Sequence, residues 1–170
     1  AMEAKPKSVV LMLHLAELYD QRGRWDDAEN MYRRILLPEN EPKNIVALNN
    51  LAWLLAQRSS DPHKHQEALQ RIEAAVAGIG RRADLLDTRG LVYLKLGQDA
   101  AALTDFREAA ADMPSPSHLF HLARAHYKSS DKTNASKVLR QAQEQGLQAS
   151  ILHPSEQSAY QKMLMELKIR

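Results

Sequence analysis

Apolar residues return along this chain at intervals of three and four, and each run breaks at a glycine, a proline or a short polar stretch. Such spacing marks amphipathic helices, and the alternating pattern of strands is missing. It predicts helices in pairs: 8–22 with 25–37, 43–58 with 62–78, 82–95 with 98–112, and 116–128 with 131–145. Pro42 and Pro116 suit a first helical position, Ser115 suits the cap before Pro116, and Asp61–Pro62 forms a good cap and start for a helix at 62. Asp26 and Asp27 suit the positive end of a helix dipole, and Gly146 suits a C-terminal cap.

Within "RGLVYLKLGQDAAALTDFREAAADMP", Gly90 lies inside a predicted helix, at a cost of about 1 kcal/mol relative to alanine. The pattern around it recurs. Offsets of 3, 7, 12 and 16 lead from Gly90 to Tyr93, Gly97, Ala102 and Phe106, and from Ala16 to Tyr19, Gly23, Ala28 and Tyr32. From Ala123 they lead to His126, Ser130, Ala135 and Leu139. Ala52 and Leu55 open a further copy that runs four residues long, through "SSDPHK", before Ala68, Ile72 and Ala75. The anchors at 16, 52, 90 and 123 are 36, 38 and 33 residues apart.

Small, aromatic, glycine, alanine, aromatic, alanine, proline at a period of about 34 residues resembles the tetratricopeptide repeat (TPR) family, in a bacterial-type multi-repeat array. Residues 83–115 match best, through Gly90, Tyr93, Gly97, Ala102, Phe106, Ala109 and Pro114. The resemblance implies an all-α fold: a right-handed α-solenoid of helix-turn-helix hairpins with a C-terminal capping helix. Its repeats would be 9–42, 43–82, 83–115 and 116–149, after a disordered or tag-derived lead at 1–8. Gly90 and Ala102 would face each other where two helices cross closely. Residues 150–170 look like the cap, with Tyr160, Met163, Leu164 and Leu167 on one face. The other reading of that segment is a partner-binding helix.

The resemblance further implies a non-enzymatic scaffold whose concave face, built from the first helices, binds a peptide or a partner helix. Groove candidates are Asn49, Asn50, Trp53, Asp87, Leu91, Phe120, Arg124, Tyr127 and Lys128. Leu94, Lys95 and His121 fall on the same expected face. Asn49 and Asn50 can each donate to and accept from a ligand backbone. Trp53, Phe120, Tyr127 and Arg124 are types enriched in hot spots. Each has a plainer reading: Trp53 packing between repeats, Phe120 and Tyr127 packing under the cap, Arg124 and Lys128 solvated. The clamp with which some of these domains grip a chaperone tail maps to Leu13, Glu17, Asn50, Asp84 and Thr88. Only Asn50 agrees, so no such clamp is expected. The competing reading is a structural module, with a possible homodimer through an uncapped first repeat.

Charge and chemistry narrow the rest. Net charge is +2 with acids and bases interspersed, which does not favour nucleic acid as a partner. No apolar run approaches a membrane span, so membrane insertion is not expected and the chain reads as soluble, whether cytoplasmic or periplasmic. Ala1 before Met2 resembles a cloning remnant, and the chain reads as a fragment of a larger repeat protein. There is no cysteine, no phosphate loop, no HExxH and no GxSxG. His63 with His65 and His118 with His121 have metal-like spacings, but nothing completes either set, and His126 occupies an aromatic slot. No enzyme activity, cofactor or metal is expected.

Overall fold

A computed structural model describes residues 8–169. Apart from Ser8, the lead expected at 1–8 lies outside the described residues. Every regular element among them is helical. The chain divides into two compact units, Ala1–Gly80 and Arg81–Arg170.

The first unit holds α1 (Val9–Gln21), α2 (Trp25–Ile35), α3 (Ile45–Arg58) and α4 (Pro62–Ile79). α1 packs on α2, α2 on α3, and α3 on α4. Ala16, Ala28, Ala52, Ala68 and Ala75 are all fully buried, so the recurring small positions are where these helices approach. Met12, Ile35, Leu51, Leu55 and Ile72 fill the space between them. Across the outer side, Arg33 bridges Glu29 and Glu67, and Lys64 also reaches Glu29.

The second unit holds α5 (Ala83–Lys95), α6 (Asp99–Asp112), α7 (Pro116–Lys128), α8 (Lys132–Glu144), a 3-10 turn (Ala149–Ile151) and α9 (Pro154–Glu166). α5 pairs with α6, α7 with α8, and α6 packs on α7. A Cβ on Gly90 would lie 2.6 to 2.8 Å from three ring carbons of Phe106, which is fully buried. The residue that crowds Gly90 is therefore Phe106 rather than Ala102. The aromatic from the second helix lies across the crossing point, and only a residue without a side chain leaves it room. Behind it, Arg89 holds the buried carboxylate of Asp105 with two hydrogen bonds of 2.7 and 2.8 Å. α9 covers α7, with the Tyr160 ring edge-on to Phe120 at 5.7 Å.

One turn closes α1, α5, α7, α8 and α9. Its first bond runs from Gly23, Gly97, Ser130, Gly146 or Lys168, each at positive φ. The next N–H reaches back five residues: Arg24 to Tyr19, Gln98 to Tyr93, Asp131 to His126, Leu147 to Ala142, Ile169 to Leu164. This is the Schellman motif, which satisfies the last carbonyls of a helix. A left-handed backbone costs a residue with a Cβ about 1–2 kcal/mol, which glycine avoids. Ser130, at φ 62°, occupies the place that Gly97 holds at 73°. Ser130→Gly is therefore expected to stabilise the chain by about 1 kcal/mol. A denaturation midpoint that fails to rise would refute this.

The α3–α4 connection departs from that turn. Ser59 is extended, the Asp61 carboxylate accepts from the His63 N–H at 2.9 Å, and Pro62 starts α4. His65 Nε2 donates to the Ser59 carbonyl at 2.8 Å, tying the longer connection to its own helix.

Candidate functional site

In the first unit, α3 carries Asn49, Asn50 and Trp53 on adjoining turns. Asn50 Nδ2 donates to the Tyr32 hydroxyl at 3.3 Å, and Asn50 Oδ1 accepts from Asn49 Nδ2 at 3.2 Å. That leaves Asn49 Oδ1 buried without a hydrogen bond. Burial raises the Tyr32 pKa to about 12, helped by Asp20 and Glu17 and opposed by the Asn50 bond. Tyr32 therefore stays a neutral hydroxyl. The Asn49 amide oxygen is thus closed off from solvent, and Trp53 one turn on is half-buried.

In the second unit a chain of charges crosses three helices. His121 on α7 lies with Nδ1 2.8 Å from the Asp87 carboxylate of α5 and Nε2 2.9 Å from Glu156 Oε1 of α9. All three residues are buried. Arg124 Nη1 donates to the same Glu156 oxygen at 2.8 Å. The rings of Phe106 and Phe120 flank the imidazole at 5.9 and 5.6 Å. Burial alone would lower the His121 pKa, but the two carboxylates outweigh it and raise it to about 9. Burial opposes ionisation of Glu156 as well, yet His121 and Arg124 hold it below its ordinary value of 4.5. At neutral pH two cations thus balance two anions, and both ring nitrogens donate.

Above this layer a cleft of about 290 Å³ opens between α5, α7 and α9. Leu94, Tyr127, Ala159 and Met163 line it, with Lys95, Arg124, Lys128 and Lys162 around them. Lys128 Nζ donates to the Leu94 carbonyl and to Asp99, both at 2.7 Å. The Tyr127 hydroxyl donates to Glu166.

The structure thus brings Arg124, Tyr127 and Lys128 to one cleft and places Asn49, Asn50 and Trp53 together on α3. Asp87, Leu91 and Phe120, candidates for the groove surface, are instead buried, Phe120 in keeping with its plainer reading. Asp87 faces His121, and Phe120 lies under Tyr160 because α9 packs over α7. Glu156 and Lys162 were absent from the sequence candidates. Glu156 has a signal in its spacing, since Asp87, His121 and Glu156 lie 34 and 35 residues apart, one repeat at a time. The paired histidines do not converge. His118 Nδ1 donates to the Met113 carbonyl at 2.7 Å, while His121 is held by carboxylates. Among the described residues, no group of three His, Asp or Glu side chains could hold a metal ion. No described helix is long and apolar enough to cross a membrane.

Comparison with known proteins places this geometry. The tetratricopeptide repeat family profile matches residues 1–48. No curated protein matches the chain in sequence. Among solved structures, a thermophilic TPR protein of Thermus thermophilus is 20% identical, covering 95% of this chain and 84% of that one, with a TM-score of 0.76. PilW, described as a widely conserved type IV pilus biogenesis factor, is 22% identical over 96% of this chain and 76% of its own, with a TM-score of 0.72. MamA from Desulfovibrio magneticus RS-1 is 17% identical over 81% and 75%, with a TM-score of 0.65. At such identities the likeness is one of fold. The family profile thus matches the first 48 residues, and the chain shares the all-α helix-turn-helix fold of solved TPR structures.

Proposed function

We propose that this protein is a non-enzymatic interaction scaffold that binds an extended peptide or a helix of a partner on the faces of its first helices. TPR folds generally mediate protein–protein interaction, and proteins of this family are typically scaffolds rather than enzymes. The observation that carries the reading here is the cleft between α5, α7 and α9, where Arg124, Tyr127 and Lys128 meet an apolar floor. Apolar floors with a few convergent polar groups are the usual form of a binding site.

The test is site-directed photo-crosslinking in lysate of the source cell. A photoreactive residue at position 53 or 127 is expected to give discrete adducts. The same residue in place of Arg107 or Arg140, both exposed on second helices, is expected to give none. Adducts at 107 and 140 equal to those at 53 and 127 would refute a first-helix site.

A further inference from the structure

Resting on that reading, we propose that the cleft between α5, α7 and α9 receives an acidic side chain of an extended partner segment, with the apolar residue next to it lying on Leu94, Ala159 and Met163. Four cations face the cleft, and three are already engaged. Arg124 is bonded to Glu156, Lys128 to Asp99 and the Leu94 carbonyl, and Lys162 lies 3.7 Å from Glu166. Glu166 also accepts from Tyr127. Lys95 makes no described hydrogen bond or ion pair. It projects from the end of α5 into the company of two like charges. Partial desolvation lowers its pKa, and Arg124 and Lys128 lower it further against the pull of Glu156. The site is therefore one anion short, and a single arriving carboxylate relieves the repulsion.

The floor decides what accompanies the charge. Leu94 and Ala159, with the buried Met163 beneath them, offer apolar surface within the same 290 Å³ or so, which suits an aliphatic or aromatic side chain beside the acid. The donors decide how the carboxylate is attached. A chain-terminal carboxylate would bring its own backbone into the cleft, where buried amide and carbonyl groups need partners. The lining holds no asparagine, glutamine or serine, and its one hydroxyl, Tyr127, is committed to Glu166. A glutamate or aspartate side chain on a short stem leaves its backbone at the rim, in water.

The experiment uses the full chain and a library of fluorescent nine-residue peptides, acetylated and amidated at their ends. Each has a central Glu flanked by one varied apolar residue, a Gln counterpart, and a counterpart without the acid that ends in a free carboxylate. Some Glu peptides are expected to bind and to weaken at least tenfold on Glu→Gln. They should weaken equally on Lys95→Met, and Lys95→Glu should reverse the preference toward a central Lys. Arg107→Met should change nothing. Equal binding of Glu and Gln peptides, binding of the free-carboxylate set alone, or binding of none would each overturn the proposal. Adducts at position 127 that persist in those cases leave the scaffold reading standing, whereas loss of both removes it too.

Discussion

Replacing His121 with leucine is expected to cost about 3–5 kcal/mol near pH 7, the penalty for removing one partner from a buried charged set. Among the described residues the imidazolium is the cation that bonds both Asp87 and Glu156, and without it Asp87 loses its buried counter-charge while Glu156 keeps only Arg124 of the pair described. The wild type carries the complementary signature in its pH dependence. The folded pKa of His121 is raised from 6.5 to about 9. Its contribution is therefore complete below pH 6.5 and is lost as pH rises through about 9, a fall on the order of 3 kcal/mol. Glu156 runs the other way: its lowered pKa contributes above 4.5 and is lost as pH falls through the folded value. Denaturant titrations from pH 6.5 to 9.5 should show the wild type weakening and His121→Leu without that fall. A wild type equally stable at pH 6.5 and 9, or a variant with the wild-type slope, would sink the account.

Gly90→Val is expected to destabilise by about 2–3 kcal/mol, toward the upper end of what overpacking costs. The first added carbon would already stand 2.6 Å from the Phe106 ring, well inside van der Waals contact, before the two methyl groups are placed. The gain in helix propensity over glycine, a few tenths of a kcal/mol, is too small to compensate. Phe106 cannot swing aside, because it is fully buried and packs beside His121. Phe106→Leu in the same chain should recover part of the loss, since contacting residues couple by about 0.5–3 kcal/mol. The check is a double-mutant cycle by thermal and chemical denaturation. Strict additivity would mean that the two residues do not meet.

The helices were legible because their signals are local. Small residues at fixed offsets, Pro62 and Pro116 at helix starts, and glycines at positive φ need no knowledge of distant neighbours. The eight paired helices consequently begin and end within two residues of the sequence expectation, while the last, expected within 150–170, spans Pro154–Glu166. The fourth turn was legible even where serine replaces glycine, because Ser130 keeps the register of Gly97. Side-chain fates were less visible. Phe120 was a groove candidate by its place in the repeat, and its plainer reading, packing under the last segment, is the one that fits, since Tyr160 of α9 covers it. Asp87 and His121 were both placed on the first-helix face, yet their pairing depends on how far each helix rotates about its axis, which small-residue spacing does not fix. Glu156 was hidden by treating the last segment only as an apolar face.

Repeat arrays are usually additive, each element contacting its neighbours and contributing its own share. The shared imidazole of His121 makes the second unit behave otherwise. Because one ring bonds forward to α9 and backward to α5, detaching α9 strands a charge in the interior rather than merely exposing an apolar face. Fraying from that end is thereby made cooperative. α9 is held to the middle of its unit by electrostatics as well as by packing, and opens with it as one piece.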